Sequence, residues 1–155
     1  MRPLAFCCCA IVLVGCTKPK EQPATDAMTD SAPAPAAPAA LALADVAGKW
    51  AMRTMNESGD STLLTYELVA TADPSGWTFN FPKRPPVPAR IAAAGDSIVM
   101  DAGPYESLLR KGVQVTTHGV ARLQDGKLVG GTTAHYKTTG PDSVLQLRFE
   151  GTRAP

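Results

Sequence analysis

The chain reads as all-β: a single small antiparallel up-and-down barrel of eight to nine strands occupying residues 45–155. Three observations predict this. Apolar and polar residues alternate over short stretches, the signature of strands with one buried face. Turn-forming residues recur about every eight to twelve positions between those stretches. No long segment of the domain repeats with the 3.6-residue period of an amphipathic helix. Connections this short make a meander, and a meander leaves two raw edges unless it closes, so a barrel is favoured over an open sheet or a sandwich.

The first strand covers Gly48 to Asn56, with Trp50 and Met52 facing in and Lys49 and Arg53 facing out. Ser58-Gly59-Asp60 turns the chain into a second strand, Thr62 to Ala72, whose Leu64, Tyr66, Leu68 and Ala70 share the inner face. After Asp73-Pro74-Ser75-Gly76, Trp77, Phe79 and Phe81 share a face in a third, and Val87, Ala89 and Ile91 do so in a fourth, Val87 to Ala93. Ala94-Gly95-Asp96 leads to Ser97–Ala102 and then to a separate short strand, Tyr105 to Arg110. Two further strands, Val113 to Leu123 and Lys127 to Tyr136, flank Asp125-Gly126, a pair suited to a hairpin turn with positive φ. Gly140-Pro141-Asp142 precedes the last strand, Val144 to Arg153, in which Leu145, Leu147 and Phe149 point in and Gln146, Arg148 and Glu150 point out.

The phase of that last strand carries Arg153 to the inner side, where it needs a receiver for its charge. If first and last strands are neighbours, the face of Trp50 is that receiver, a cation–π contact of about 0.5 to 2 kcal/mol that ties the barrel shut. Gly48-Lys49-Trp50 opening the first strand and an arginine closing the last resemble the Gly-x-Trp and arginine signature of the lipocalin and calycin barrels. The domain is also similar to the lipocalin-like domains of bacterial extracytoplasmic proteins, through Gly119-Val120-Ala121 to Gly130-Gly131-Thr132 and the ending Phe149-Glu150-Gly151-Thr152-Arg153. The resemblance implies a fold and does not transfer an activity.

The N-terminus carries an address. Arg2 supplies a positive start, Leu4 to Val14 an apolar run, and Leu13-Val14-Gly15-Cys16 a small residue just before a cysteine. Eleven apolar residues rise roughly 16 Å as a helix, about half a hydrocarbon core, so cleavage is favoured over spanning. The segment resembles a bacterial lipoprotein signal. The resemblance implies that residues 1–15 are removed and that Cys16 carries acyl chains such as palmitate, holding the protein in a membrane. Thr17, where an aspartate would favour the inner membrane, points to the outer membrane, facing the periplasm. An ordinary secretory signal is the competing reading. Residues 16–44 are rich in alanine and proline, with Pro33, Pro35 and Pro38 incompatible with a helix, and form a tether of roughly 30 Å mean span.

Composition excludes several function classes. All four cysteines lie at or before position 16, so residues 45–155 hold neither a disulfide framework nor a thiolate metal site. That segment has twelve Lys plus Arg against eleven Asp plus Glu, without runs of either sign, so no nucleic-acid partner is implied. His118 and His135 lack further ligands at a metal-selecting spacing, and no cofactor or metal is nominated. Gly59-Asp60-Ser61 and Gly95-Asp96-Ser97 echo a hydrolase nucleophile block, but both sit at turns in a chain with no α/β pattern. No acid/base pair can be assigned, so the reading is non-catalytic. Two functions remain open. The inward set Met52, Leu64, Tyr66, Trp77, Phe79, Ile91, Leu147 and Phe149 would line a cavity for a small apolar ligand. Alternatively the barrel is filled, and its outer wall or the stiff 81–88 loop, Phe81-Pro82-Lys83-Arg84-Pro85-Pro86-Val87-Pro88, binds an envelope protein or glycan. The sequence identifies no protein partner.

Overall fold

Positive φ at both Asp125 (51°) and Gly126 (75°) makes the two-residue turn that the Asp-Gly pair favours, and the strands on either side pair from Gln124↔Lys127 to Val115↔Tyr136. The same hairpin logic runs through the computed structural model, which describes residues 40–155. Eight strands follow one another: β1 Gly48–Met55, β2 Thr62–Ala70, β3 Thr78–Asn80, β4 Val87–Ala94, β5 Ser97–Glu106, β6 Gln114–Gln124, β7 Lys127–Tyr136 and β8 Val144–Arg153. Each pairs antiparallel with the next, and β8 pairs with β1, so the sheet is a closed up-and-down barrel. Closure removes the two edges that a linear meander would expose. The signal segment, Cys16 and all but the end of the tether lie outside the described residues.

The strand count is eight because the two short strands expected over Ser97–Ala102 and Tyr105–Arg110 are one. Gly103 sits at φ 108°, and a Cβ there would lie 2.6 Å from the carbonyl oxygen of Val115, so a glycine lets β5 continue past an irregularity where a side chain could not. Pairing with β6 resumes at Tyr105↔Val115, and the residues after Glu106 form a loop instead. The third strand is shorter than Trp77–Phe81. It pairs over three positions with β2 and two with β4, and Pro82, lacking an amide hydrogen, follows soon after its end.

The packed part also begins earlier than residue 45. Leu41 and Leu43 pack against the core, the Leu41 amide donates to the Gly95 carbonyl at 2.8 Å, and a single helical turn, α1 Leu43–Val46, follows. Two leucines after an alanine- and proline-rich stretch have apolar surface to bury, and that burial draws them into the domain.

Antiparallel order sorts the connections onto two ends. The β4–β5 turn, the Asp125-Gly126 turn, α1 and the start of β1 share one end, the floor. Residues 56–61, 81–86, 107–113 and 137–143 share the other, the mouth. The floor is filled: Val46, Trp50, Met52, Leu68, Trp77, Ile98 and Leu128 are all buried there. Each indole N–H finds an acceptor, Trp50 the Val46 carbonyl at 2.8 Å and Trp77 the carbonyls of Thr71 and Asp73 at 2.9 and 3.0 Å.

Candidate functional site at the mouth of the barrel

Toward the mouth the two walls of the lumen differ in bulk. From β2 and the β3 segment come Tyr66, Phe79 and Phe81, joined by Tyr105 from the end of β5. Their ring centroids stand 5.6 Å (Tyr66 to Phe79), 5.1 Å (Tyr66 to Phe81) and 5.7 Å (Phe81 to Tyr105) apart. Across the barrel, β6 and β7 present Thr117, Gly119, Thr132 and Ala134. Small residues facing large ones leave a gap, and the result is a cavity of about 60 Å³. Thr54, Leu64, Tyr136, Leu147 and Phe149 complete its sides.

Loop 107–113 lies over this space, with Leu108 and Leu109 among the cavity-lining residues. Ser107 shapes the loop: its buried Oγ accepts from the amides of Leu109 (3.1 Å) and Arg110 (3.0 Å), and its own amide donates to the Val113 carbonyl at 2.8 Å. Arginines fasten it from outside. The Arg110 guanidinium lies 4.1 Å from the Tyr136 ring centroid and donates to the Asp142 carbonyl at 2.6 Å. Arg84 reaches from the 81–86 loop to the Glu106 carbonyl, and the Glu106 carboxylate accepts from the Gly112 amide at 3.1 Å.

The chemistry of the cavity is that of neutral hydroxyls. Among the described residues no charged side chain lines it. Tyr66 lines the cavity and packs against Phe79 and Phe81. Burial therefore pushes its hydroxyl well above the ordinary value of 10.0, against the opposing pull of a hydrogen bond with Thr54. Burial raises Tyr105 likewise, offset in part by a hydrogen bond with Thr117, with Tyr136 adding to the rise and Arg84 opposing it. Both tyrosines remain protonated donors in the folded protein at neutral pH.

Five of the eight residues expected to line a cavity do so: Leu64, Tyr66, Phe79, Leu147 and Phe149. Met52 and Trp77 face inward but belong to the filled floor, and Ile91 is half-buried against the core. The 81–88 segment is not a free loop. Phe81 lines the cavity, Arg84 is held at the rim, and Val87 and Pro88 already pair in β4. Sequence reasoning missed Tyr105, Tyr136, the lid leucines and the small wall. Alternation in β7 (Leu128, Gly130, Thr132, Ala134, Tyr136) holds that wall, though its small residues give little hydrophobic signal.

At the floor, Gly48, Trp50 and Arg153 meet as their pattern implies. Trp50 and Arg153 are register partners, the guanidinium lies 4.6 Å from the indole centroid, and it donates to the carbonyls of Ala47 (2.9 Å) and Asp45 (2.6 Å). Arg153 keeps exposed surface, so it seals the floor from outside. A Cβ on Gly48 would stand 3.0 Å from Arg153 Nη1. His118 sits on the outer wall, 2.7 Å from the carboxylate of its partner Asp101, and His135 is also exposed. The Ser97 hydroxyl is engaged by Asp96 (2.7 Å) and Arg122 (2.9 Å). Among the described residues no group of three His, Cys, Asp or Glu is placed to hold a metal ion. Comparison with protein-family models, curated proteins and solved structures finds no match to this chain.

Proposed function

We propose that this chain is a lipid-anchored, non-catalytic envelope protein whose barrel holds a small apolar ligand in the mouth half of its lumen. One observation carries the ligand reading: an aromatic wall faces a wall of Gly, Ala and Thr, so the lumen is left unfilled beneath a loop fastened at the rim. A barrel evolved only as a solid scaffold gains by filling such a gap, since packed side chains add dispersion contacts that a void forfeits. The anchor reading rests on sequence alone, on Gly15-Cys16 after the apolar run, with acyl chains on Cys16 in the outer membrane and the barrel in the periplasm. The lipocalin-like ends of the domain, Gly48-Lys49-Trp50 and Arg153, are consistent with a carrier barrel.

Native mass spectrometry of the full chain purified from membranes in detergent tests the ligand reading. An extra mass of a few hundred daltons or less beyond the lipidated chain, absent from an Ala134→Phe variant, is expected. Equal masses for the two after subtracting the substitution would overturn it.

A further inference from the structure

The walls of the cavity also restrict what it accepts, an inference that rests on reading the lumen as a ligand site. We propose that the slot selects a small, uncharged ring compound bearing a hydroxyl group, of which a simple phenol is the type.

Shape gives the ring. Tyr66, Phe79 and Phe81 form one side, while the other presents only the small residues Thr117, Gly119, Thr132 and Ala134, so the space is a slot between an aromatic surface and a wall of small side chains. Aromatic rings stack offset or edge-on against such a surface. Depth sets the length. Below the slot Trp50, Met52, Leu68 and Leu128 are buried and packed, so an extended acyl chain has no channel to enter.

Polarity gives the hydroxyl. Of the hydroxyls in the lining, those of Ser107 and Thr132 are engaged with backbone, while Thr54 beside Tyr66 and Thr117 beside Tyr105 make two hydroxyl pairs. Each hydroxyl has one donor hydrogen and two acceptor lone pairs, so a pair bonded to itself still has a hydrogen and lone pairs for a third group. A ligand hydroxyl can both give and receive there.

Charge gives the neutrality. Among the described residues no charged side chain lines the slot, and Arg84 and Arg110 at its rim are already engaged with the Glu106 and Asp142 carbonyls, so neither a carboxylate nor an ammonium meets a counter-ion there. An unpaired ion in an apolar lining bears its full desolvation cost.

Size gives a condition. A volume of about 60 Å³ is well below the roughly 150 Å³ of a dry protein cavity that takes up benzene, so it is less than a ring needs. Leu108 and Leu109 therefore withdraw when the ring enters, and the bonds that hold their loop at the surface are of the weak, water-competed kind.

The experiment is equilibrium dialysis of the full chain in detergent against empty micelles, with four probes: p-cresol, toluene, 4-methylbenzoate and dodecanoate. The proposal expects p-cresol to be held about tenfold more tightly than toluene, in line with one or two net hydrogen bonds, and 4-methylbenzoate and dodecanoate not at all. Thr54→Val and Tyr66→Phe combined with Tyr105→Phe and Thr117→Val should abolish the preference for cresol while leaving toluene binding in place. Toluene, 4-methylbenzoate or dodecanoate held best, and lost in Ala134→Phe, would overturn the ligand class and leave the lumen reading standing. A cresol preference that survives the fourfold substitution would also overturn the class. No probe held better by the natural chain than by Ala134→Phe would overturn both.

Discussion

Arg153→Ala is the sharpest test of how the barrel is closed. The guanidinium makes three contacts at the floor: the Trp50 face at 4.6 Å, the Ala47 carbonyl at 2.9 Å and the Asp45 carbonyl at 2.6 Å. A cation–π contact at an exposed site contributes about 0.5 to 1 kcal/mol. Hydrogen bonds from a charged donor reach about 1.5 to 3 kcal/mol each when shielded, but Arg153 is exposed and water can replace it at both carbonyls, so they are discounted to about 1 kcal/mol together. The sum is about 2 kcal/mol, which for a domain of this size lowers Tm by roughly 8 °C. The assay is thermal unfolding of the full chain followed by circular dichroism and by tryptophan emission, with Arg153→Lys alongside. Lysine keeps the charge but not the planar fork that spans two carbonyls and an indole, so it should recover less than half of the loss. A Tm within about 2 °C of the natural chain, with unchanged emission, would refute the closure argument.

Gly130→Ala should be among the most damaging single substitutions, because its Cβ would fall 2.0 Å from the Val120 carbonyl oxygen and 2.6 Å from Phe149 Cζ; a loss of about 3 kcal/mol or failure to fold is expected in denaturant titration. Ala134→Phe forces a ring into a cavity smaller than a ring, so it should cost about 1 to 3 kcal/mol of stability while retained ligand mass disappears; an unchanged cargo would argue against a ligand in the lumen. Burial raises Tyr66 and Tyr105 in the folded state, so the stability they contribute is full below their unfolded value of 10.0 and is lost as pH rises through their higher folded values. Unfolding should therefore set in above pH 10, with the tyrosinate absorbance of these two residues appearing only alongside loss of β-sheet signal; their titration in a folded barrel would contradict the burial argument. Cys16→Ser should shift the protein from the membrane to the soluble fraction or leave its signal uncleaved, and unchanged membrane association of a processed chain would remove the anchor reading.

Alternation made the strands legible where side chains contrast strongly. Leu145, Leu147 and Phe149 against Gln146 and Arg148 place β8, and Leu64 through Ala70 place β2, without reference to anything distant. Closure was legible at Trp50 and Arg153 because each needs a partner of the other's kind. What alternation cannot supply is depth. It gives the face on which Met52, Trp77 and Phe79 lie but not which of them meets open space: Phe79 lines the cavity, while Met52 and Trp77 are buried in the packed floor. The small wall of β6 and β7 was hidden for the opposite reason, since Gly119, Thr132 and Ala134 matter by the space they leave. Leu108-Leu109 reads locally as the end of a strand. Only Ser107 Oγ, turning the chain by accepting two amides, makes it a lid.

The most direct measurement of where a ligand sits is methyl NMR of the full chain in detergent during titration with p-cresol. Saturable shifts are expected at Leu109, Val115, Ala134 and Leu147 around the cavity, with Leu128 and Ala70 at the floor unmoved. Shifts confined to the exposed outer-wall residues Leu63, Val120, Leu123 and Val144, or none at saturating probe, would contradict it.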